Sequence, residues 1–400
     1  MRKNNVKVIL RHDSLKDLPD FSTNILFSPL LNTISDTLCE IGISDIIFVS
    51  DPSLSVGFDF GIKFNSYVRA SFDEVERTFS GLAANADSCV LVISKPLLFD
   101  RTAMTGFLDA GDGNMTLLAG GEETGTYLLS GDALNAETIL SCFEGRTPAG
   151  FSEFDSWDNS GICCRIAGYE DLSAAENILR DVINGALMQS GVRMIGPERT
   201  YISADSKISA GCVILPGCII KEGSVVGAGC TVGPNSSLTA CVIGTNCEIN
   251  SSQITASSVG NNVTIGPFAY IRPDCVIAND IRIGDFVELK NAKIGNGTKV
   301  SHLTYIGDSI VGERVNFGCG TVTVNYDGVD KYTTVIEDDA FIGCNTNLVA
   351  PIRVGKAAYT AAGTTITEDV PDNALAIGRA RQTNKPNWAL KIAERKHSKK

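Results

Sequence analysis

From about residue 200 onward, aliphatic residues recur every six positions, and this period limits the possible folds more than anything else in the chain. Ile202, Ile208, Ile214, Ile220, Val226, Val232 and Leu238 make the first run. After slips of one residue the period returns at Val259, Ile265, Ile271, Ile277, Ile283 and Leu289, then at Ile294, Val300 and Ile306, and again at Ile336, Ile342, Leu348 and Val354. Six matches neither the helical repeat of 3.6 nor strand alternation. It is the mark of a β-solenoid, in which each hexapeptide gives one short strand and a corner. The aliphatic side chain points into the coil, and stacked coils bury a continuous column. Glycine often follows it, as in VGAG, IGPF, IGNG, IGDS, VGER and IGCN, and small corner residues allow the tight turn. The period breaks over residues 322–338, VTVNYDGVDKYTTVIED. NYDG is turn chemistry, so a loop should leave the wall here, and such excursions often carry binding residues. Past Asp369 the repeat stops, and the basic end ALAIGRARQTNKPNWALKIAERKHSKK reads as a partly helical, solvated cap.

The first 185 residues have a different rhythm. Val6–Leu10, Asp45–Ser50 and Ser88–Ser94 are apolar strand candidates, and Leu30–Ile41 keeps helical spacing up to Gly42. Strands alternating with helices predict a parallel sheet of Rossmann type. Leu172–Ser190 predicts a connecting helix. The expected domains are an α/β unit over 1–185, a β-helix over 186–378 and a basic tail over 379–400. Four hundred residues are enough for this.

Composition narrows the function. A net charge of −12 argues against general nucleic-acid binding. No apolar run reaches the roughly 18 residues that would span a bilayer. MRKNNVKVIL lacks the long apolar stretch and cleavage site of a signal peptide, so a cytoplasmic protein is expected. The thirteen cysteines are scattered, form no CxxC pair and mostly stand where small apolar residues would, which predicts packed, reduced thiols.

The flat faces of a solenoid offer few pockets, so small-molecule sites tend to form between neighbouring subunits. Arg272, Lys290, His302, Tyr305, Asn316, Asn325, Tyr326, Lys331 and Arg379 break the apolar pattern. Of three histidines, His12 and His397 lie near the ends and only His302 is within the repeats. One possible base, several cations and some neutral hydrogen-bonding groups suit an anionic sugar. Cations take a phosphate, amides take hydroxyls and the imidazole moves a proton.

Four segments carry a more specific signal: GPFAYIRPDC, FVELKNAKIGNGTKVSHLTYIGD, GCGTVTVNYDGVDKYTT and AAGTTITEDVPDNALAIGRARQ. From about Gly185 to Ala389 the chain resembles the acetyltransferase half of the bifunctional N-acetylglucosamine-1-phosphate uridyltransferase/glucosamine-1-phosphate acetyltransferase family. The resemblance implies a left-handed parallel β-helix and a homotrimer. It also implies acetyl-CoA as donor, glucosamine-1-phosphate as acceptor and a place in UDP-N-acetylglucosamine synthesis for cell-wall biogenesis. His302 would be the general base. Arg272, Lys290 and Tyr305 would reach the acceptor phosphate, Asn316 and Asn325 the sugar, and Tyr326 the reacting centre, with Lys331 near the acceptor. Cys344, Ala362 and Arg379 would hold acetyl-CoA. The family usually has serine where Cys344 stands, and a thiol donates more weakly than a hydroxyl. Acetyl transfer of this kind needs no metal.

The first half departs from the same family. A glycine-rich phosphate loop is replaced by VILRHDSLKDLP, without glycine, and a GDxPL strand end by VISKPLL. Ser94–Lys95 then stands where Gly–Asp would hold magnesium, and a lysine repels that ion. The segment AGYEDL lacks the second metal-holding Asn. The expectation is a nucleotidyltransferase-like fold whose uridyltransferase chemistry is lost. LLAGGEETGTYLLSGD, residues 117–132, reads as a hairpin or turn and not as a substitute phosphate loop. Two other functions stay open: acylation of another, nucleotide-linked amino sugar, or a non-catalytic trimeric scaffold or regulator.

Overall fold

The computed structural model describes residues 6–12, 24–26, 28–50, 64, 66–83, 89–110, 114–119, 121–130, 134–155 and 161–397. The loop segment 13–20, part of the stretch expected to replace a phosphate loop, lies outside them. The chain divides into two compact units, Met1–Ile183 and Asn184–Lys400.

In the first unit β1 (Val6–His12), β2 (Asp45–Ser50), β3 (Ser66–Ala70), β4 (Cys89–Ile93), β5 (Met115–Ala119), β6 (Glu122–Leu129) and β7 (Ser152–Asp155) form one sheet. The order is β7-β5-β6-β4-β1-β2-β3. β1 pairs in parallel with β2 and β4, and β2 with β3. The expected all-parallel sheet is corrected at one place: β6 runs antiparallel to both β4 and β5, so the sheet is mixed. The cause is local. Gly121, at φ 82°, turns the chain back between β5 and β6, and that hairpin is the predicted one. Successive residues of β1 face different clusters. Val8 and Leu10 pack with Ile34, Leu38 and Phe107, whereas Ile9 packs with Phe79, Val90 and Tyr127. Both faces of the sheet are thus covered, which is why its inner strands are apolar throughout. The predicted helix appears as α1 (Leu30–Glu40), with Leu30, Leu31, Ile34 and Leu38 buried and Gly42 at φ 88° beyond its end. A longer helix spans Tyr169–Gln189.

The second unit is a parallel β-helix. Ile202 pairs with Ile220, which pairs with Leu238, and Lys207–Ile208 pairs with Val225–Val226. Partners 18 residues apart mean three hexapeptides per coil, and the one-residue slips in the sequence are slightly shorter coils, such as Ile254 to Ile271. Every aliphatic residue named in the six-residue pattern is buried, from 0% exposed at Ile202, Ile214 and Val226 to 7% at Ile208. Cysteines take corner positions in this wall. Cys212, Cys230 and Cys247 are buried, and each thiol donates to a carbonyl one coil on, of Gly227, Gly244 and Gly260. None of the thirteen cysteines forms a disulfide; eight are buried, four half-buried, and Cys344 is exposed and so departs from the expected packing. Among the described residues no helix is long and apolar enough to cross a membrane. The tail forms a helix, Trp388–His397, after the last strand, Leu375–Ala376.

Candidate functional site

The break at residues 322–338 is a tight loop with its own internal support. Asp327 Oδ1 accepts from the backbone N–H of Val329 and of Asp330, both at 2.8 Å, and the Tyr332 hydroxyl donates to its other oxygen. Those donors hold the Asp327 carboxyl below its ordinary pKa, the backbone bonds most strongly. Tyr326 and Lys331 form an antiparallel bridge across the loop, and Tyr332 N–H donates to Asn325 carbonyl oxygen. The loop delivers Lys331 to Lys290, which lies on the strand Glu288–Ile294. The two side chains are neighbours. This neighbour, more than any other, depresses the Lys290 pKa, and Arg272 adds to the effect. Among the described residues neither lysine has an ion-pair partner. Asp308 acts on Lys290 in the opposite direction but more weakly, so like charges dominate here, a setting that favours an anion.

Three further candidates meet at this place. Arg272 pairs through Nη1 with Glu288 Oε1 at 2.9 Å, which raises its pKa and leaves the rest of the guanidinium available. Tyr305 lies in register with Glu288 on the neighbouring coil. Gly307 explains how Tyr305 and Asn325 converge: a Cβ there would lie 2.3 Å from Tyr305 Oη and 2.9 Å from Asn325 Nδ2. The Asn325 amide is fixed from below by Asp308. This buried carboxylate accepts from Asn325 Nδ2 and, at 2.6 Å, from Asn291 Nδ2. Asn325 therefore presents its carbonyl oxygen.

His302 ends the strand Lys299–His302, three residues before Tyr305, so its Cα is at most about 11 Å from that of Tyr305. It occupies a corner. The corner residues of five successive coils stack as Asp285, His302, Cys319, Cys344 and Ala362. Backbone bonds from the residue that follows each corner tie the column together: Leu303 N–H to Asp285, Gly320 N–H to Leu303, Asn345 N–H to Cys319 and Gly363 N–H to Cys344 carbonyl oxygen. Glycines permit this close stacking. A Cβ on Gly318 would lie 2.5 Å from Cys344 N, and one on Gly343 2.7 Å from Ala362 N. Arg379 closes the set, its Cδ 3.8 Å from where a Cβ on Gly363 would stand. Cys344, Ala362 and Arg379, expected to hold acetyl-CoA, are thus grouped on the corner column that also bears His302, and all three are exposed.

Two candidates lie apart. Tyr326 turns its hydroxyl back to Gly328 carbonyl oxygen at 2.6 Å. Asn316 stands in register with Lys299 and Phe341, on the strand row of His302 and not on that of Lys290 and Tyr305. The sequence reading missed Asp285, Asp308 and Asp327. The six-residue phase could have found Asp285, since it repeats the corner position of His302.

Beside His302 the same corner carries an apolar ridge. Phe268, Phe286 and Leu303 are 60%, 57% and 55% exposed, with φ of 61°, 55° and 46°. The two phenylalanine rings stack at 5.5 Å. Other coils place Gly217, Asn235, Gly320, Asn345 and Gly363 at this corner, residues that adopt left-handed backbone readily, whereas Phe and Leu do so at a cost.

In the first unit the strand end that stands where the resembled family would hold magnesium is filled by protein. Ser94 Oγ donates to Gly125 carbonyl oxygen at 2.8 Å. The Lys95 stem crosses two left-handed glycines: its Cγ and Cδ lie 2.9 Å from where a Cβ on Gly125 would stand, and its Cε 3.2 Å from one on Gly145. These residues do not fit a divalent cation. Among the described residues there is no cluster of three or more His, Cys, Asp or Glu side chains able to hold a metal.

The second unit is a hexapeptide-repeat β-helix: the family model described as bacterial transferase hexapeptide (six repeats) matches residues 199–234 and 256–291. More specifically, the chain is similar to curated proteins named bifunctional protein GlmU. It is 53% identical to the Geobacillus sp. (strain WCH70) protein over 238 residues, 60% of this chain and 51% of that one. It is 48% identical to the Halalkalibacterium halodurans protein over 248 residues, 62% and 54% of the two chains. The chain spans about half the length of these curated relatives. A solved structure of Arabidopsis UDP-N-acetylglucosamine acyltransferase covers 52% of this chain and 75% of its own, at 18% identity and a TM-score of 0.36, too slight a likeness to carry weight.

Proposed function

We propose that the β-helix unit transfers an acetyl group from acetyl-CoA to the amine of glucosamine-1-phosphate, giving N-acetylglucosamine-1-phosphate and CoA. The observation that carries this reading is the juxtaposition of Lys290, Lys331 and Arg272, a cation cluster of the charge a phosphate dianion would need, close in the chain to the imidazole of His302. Relatives named GlmU support the amino-sugar acceptor. In the reaction, His302 Nε2 takes a proton from the amine as its nitrogen attacks the thioester carbonyl carbon. The C–N bond forms, the C–S bond breaks, and the departing thiolate receives the proton from the imidazolium. Lys290, Lys331, Arg272 and Tyr305 bind the phosphate. Asn325, held by Asp308, accepts from a sugar hydroxyl. Cys344, Ala362 and Arg379 hold the coenzyme on the corner column.

The homotrimer belongs to the same proposal. Three bulky apolar residues in costly backbone conformations beside His302 are explained if a second copy covers them and completes the groove. Loss of uridyl transfer is also proposed, supported by the Ser94–Lys95 packing at the strand end. The test is a thiol-release assay with acetyl-CoA and glucosamine-1-phosphate, run beside glucosamine and UDP-glucosamine. Preference for glucosamine-1-phosphate is expected. Preference for UDP-glucosamine would move the reading to a nucleotide-linked acceptor, and no thiol release with any of the three would favour a scaffold.

A further inference from the structure

We propose that Asp285 is a positioning residue for His302, holding the imidazole in the one orientation and tautomer in which it works as a base. The proposal rests on the acetyl-transfer reading above. Asp285 and His302 are Cα partners on adjacent coils, in register between Arg282–Asp285 and Lys299–His302. Neighbouring coils of a parallel ladder are about 4.8 Å apart, and equivalent side chains leave the corner in the same direction. Asp285 Oδ1 lies 2.5 Å from His302 Nδ1. An ionised carboxylate only accepts hydrogen bonds, so Nδ1 carries the hydrogen and Nε2 keeps its lone pair. The His302 side chain is 55% exposed, which leaves Nε2 open to a substrate amine.

The surrounding charges are consistent with this role. The other acid nearby on the chain, Glu288, is committed to Arg272. Asp285 itself is held below its ordinary carboxylate pKa, first by the imidazole and in smaller part by Arg282, so it stays ionised at neutral pH. Neither contact anchors the core: Asp285 is an exposed corner side chain, with 36% of its surface accessible, and the buried column beneath it is formed by Ile283 and Val300. A carboxylate in such a place acts mainly on the ring above it.

The experiment compares Asp285→Asn, Asp285→Ala and Asp285→Glu in the full chain. The asparagine amide donates to Nδ1 and selects the tautomer with hydrogen on Nε2, which cannot accept a proton. Asp285→Asn should therefore lower kcat by about 100-fold, the lower end of what a positioned general base supplies. KM for both substrates should stay within about two-fold, since no binding contact is removed. Asp285→Ala should lose less than Asp285→Asn, because the freed ring samples both tautomers, and Asp285→Glu should recover part of the rate. In a His302→Ala background, Asp285→Asn should have no further effect. Nitrogen-15 NMR of the His302 ring gives an answer independent of turnover: hydrogen on Nδ1 in the parent, redistributed in Asp285→Asn. The proposal is overturned if Asp285→Asn keeps kcat within about two-fold of the parent, or if the neutral ring carries its hydrogen on Nε2. Should the parent acetylate no amino sugar while Nδ1 holds the hydrogen, the functional reading falls and the pairing stands.

Discussion

The two units handle polar side chains at strand ends in opposite ways. In the first, the ends of the sheet strands are closed by the protein itself: Ser94 donates to Gly125, and the Lys95 stem lies over Gly125 and Gly145. In the second, the coil edges leave charge unanswered. Lys290 meets Lys331, and Arg272 spends one nitrogen on Glu288. A strand end covered by its own side chains leaves little space for a metal-bound ligand, whereas like charges brought together by a supported loop favour a counter-ion. On the proposed reading, the difference separates a unit without transferase chemistry from one with a site.

The widest break in this contrast would come from His302→Ala. Acetyl transfer should fall by about 10²- to 10⁴-fold, the usual contribution of general base catalysis, with the far-ultraviolet dichroism of the parent retained. Full turnover would remove the imidazole from the mechanism. Next in size is Lys331→Met. Losing one charged hydrogen bond to phosphate is worth about 1.5–3 kcal/mol, so KM for glucosamine-1-phosphate should rise by about 10- to 150-fold, with KM for acetyl-CoA unmoved. The same variant has a pH signature. Lys290 is depressed chiefly by Lys331. Its ammonium is therefore lost at lower alkaline pH than that of an ordinary lysine, and acceptor binding weakens there. Removing Lys331 should shift that alkaline weakening to higher pH, and a shift downward would refute the coupling. Asp327→Ala should act in the same direction more mildly, raising acceptor KM several-fold by loosening the loop that bears Lys331. Its check is KM beside an unchanged kcat. Smallest of all, Cys344→Ser should tighten acetyl-CoA by a few-fold at most, read by calorimetry. For the first unit the comparison is sharpened by an expected silence: with UTP and N-acetylglucosamine-1-phosphate the chain should release no pyrophosphate, and any release above the background of a Lys95→Ala variant would show that the strand end is not closed.

How much of this was legible in the residues depends on whether the pattern was periodic. The β-helix could be read almost coil by coil, because burial of one aliphatic residue in six is a strict steric demand, met from Ile202 to Val354. The limits of β1, β2 and α1 were close for a similar reason: apolar runs and a terminal glycine mark them locally. The hairpin ending in β6 was foreseen, but not that β6 would also pair antiparallel to β4 within the main sheet. Nothing in EETGTYLL tells a strand which way its neighbours run, and only the hairpin turn at Gly121 decides it. Among the candidate residues, the cations and amides stand out through the motifs that carry them. Asp285, Asp308 and Asp327 were passed over because each looks like one more acid on a solvated corner. Their roles come from what lies one coil away or across a loop, contacts that linear spacing does not report.

The corner column has a further consequence. His302 and the residues proposed to hold the coenzyme are separated along the solenoid axis by whole coils, so on that reading the distance between base and donor is set in units of about 4.8 Å. Inserting one complete coil between Cys319 and Cys344 would lengthen that gap by a single step without rotating any side chain out of line. Inserting a partial coil would turn the coenzyme residues onto a different face. In such a scaffold the reach of a substrate is a number of turns, adjustable by duplication and indifferent to the residues filling the interior.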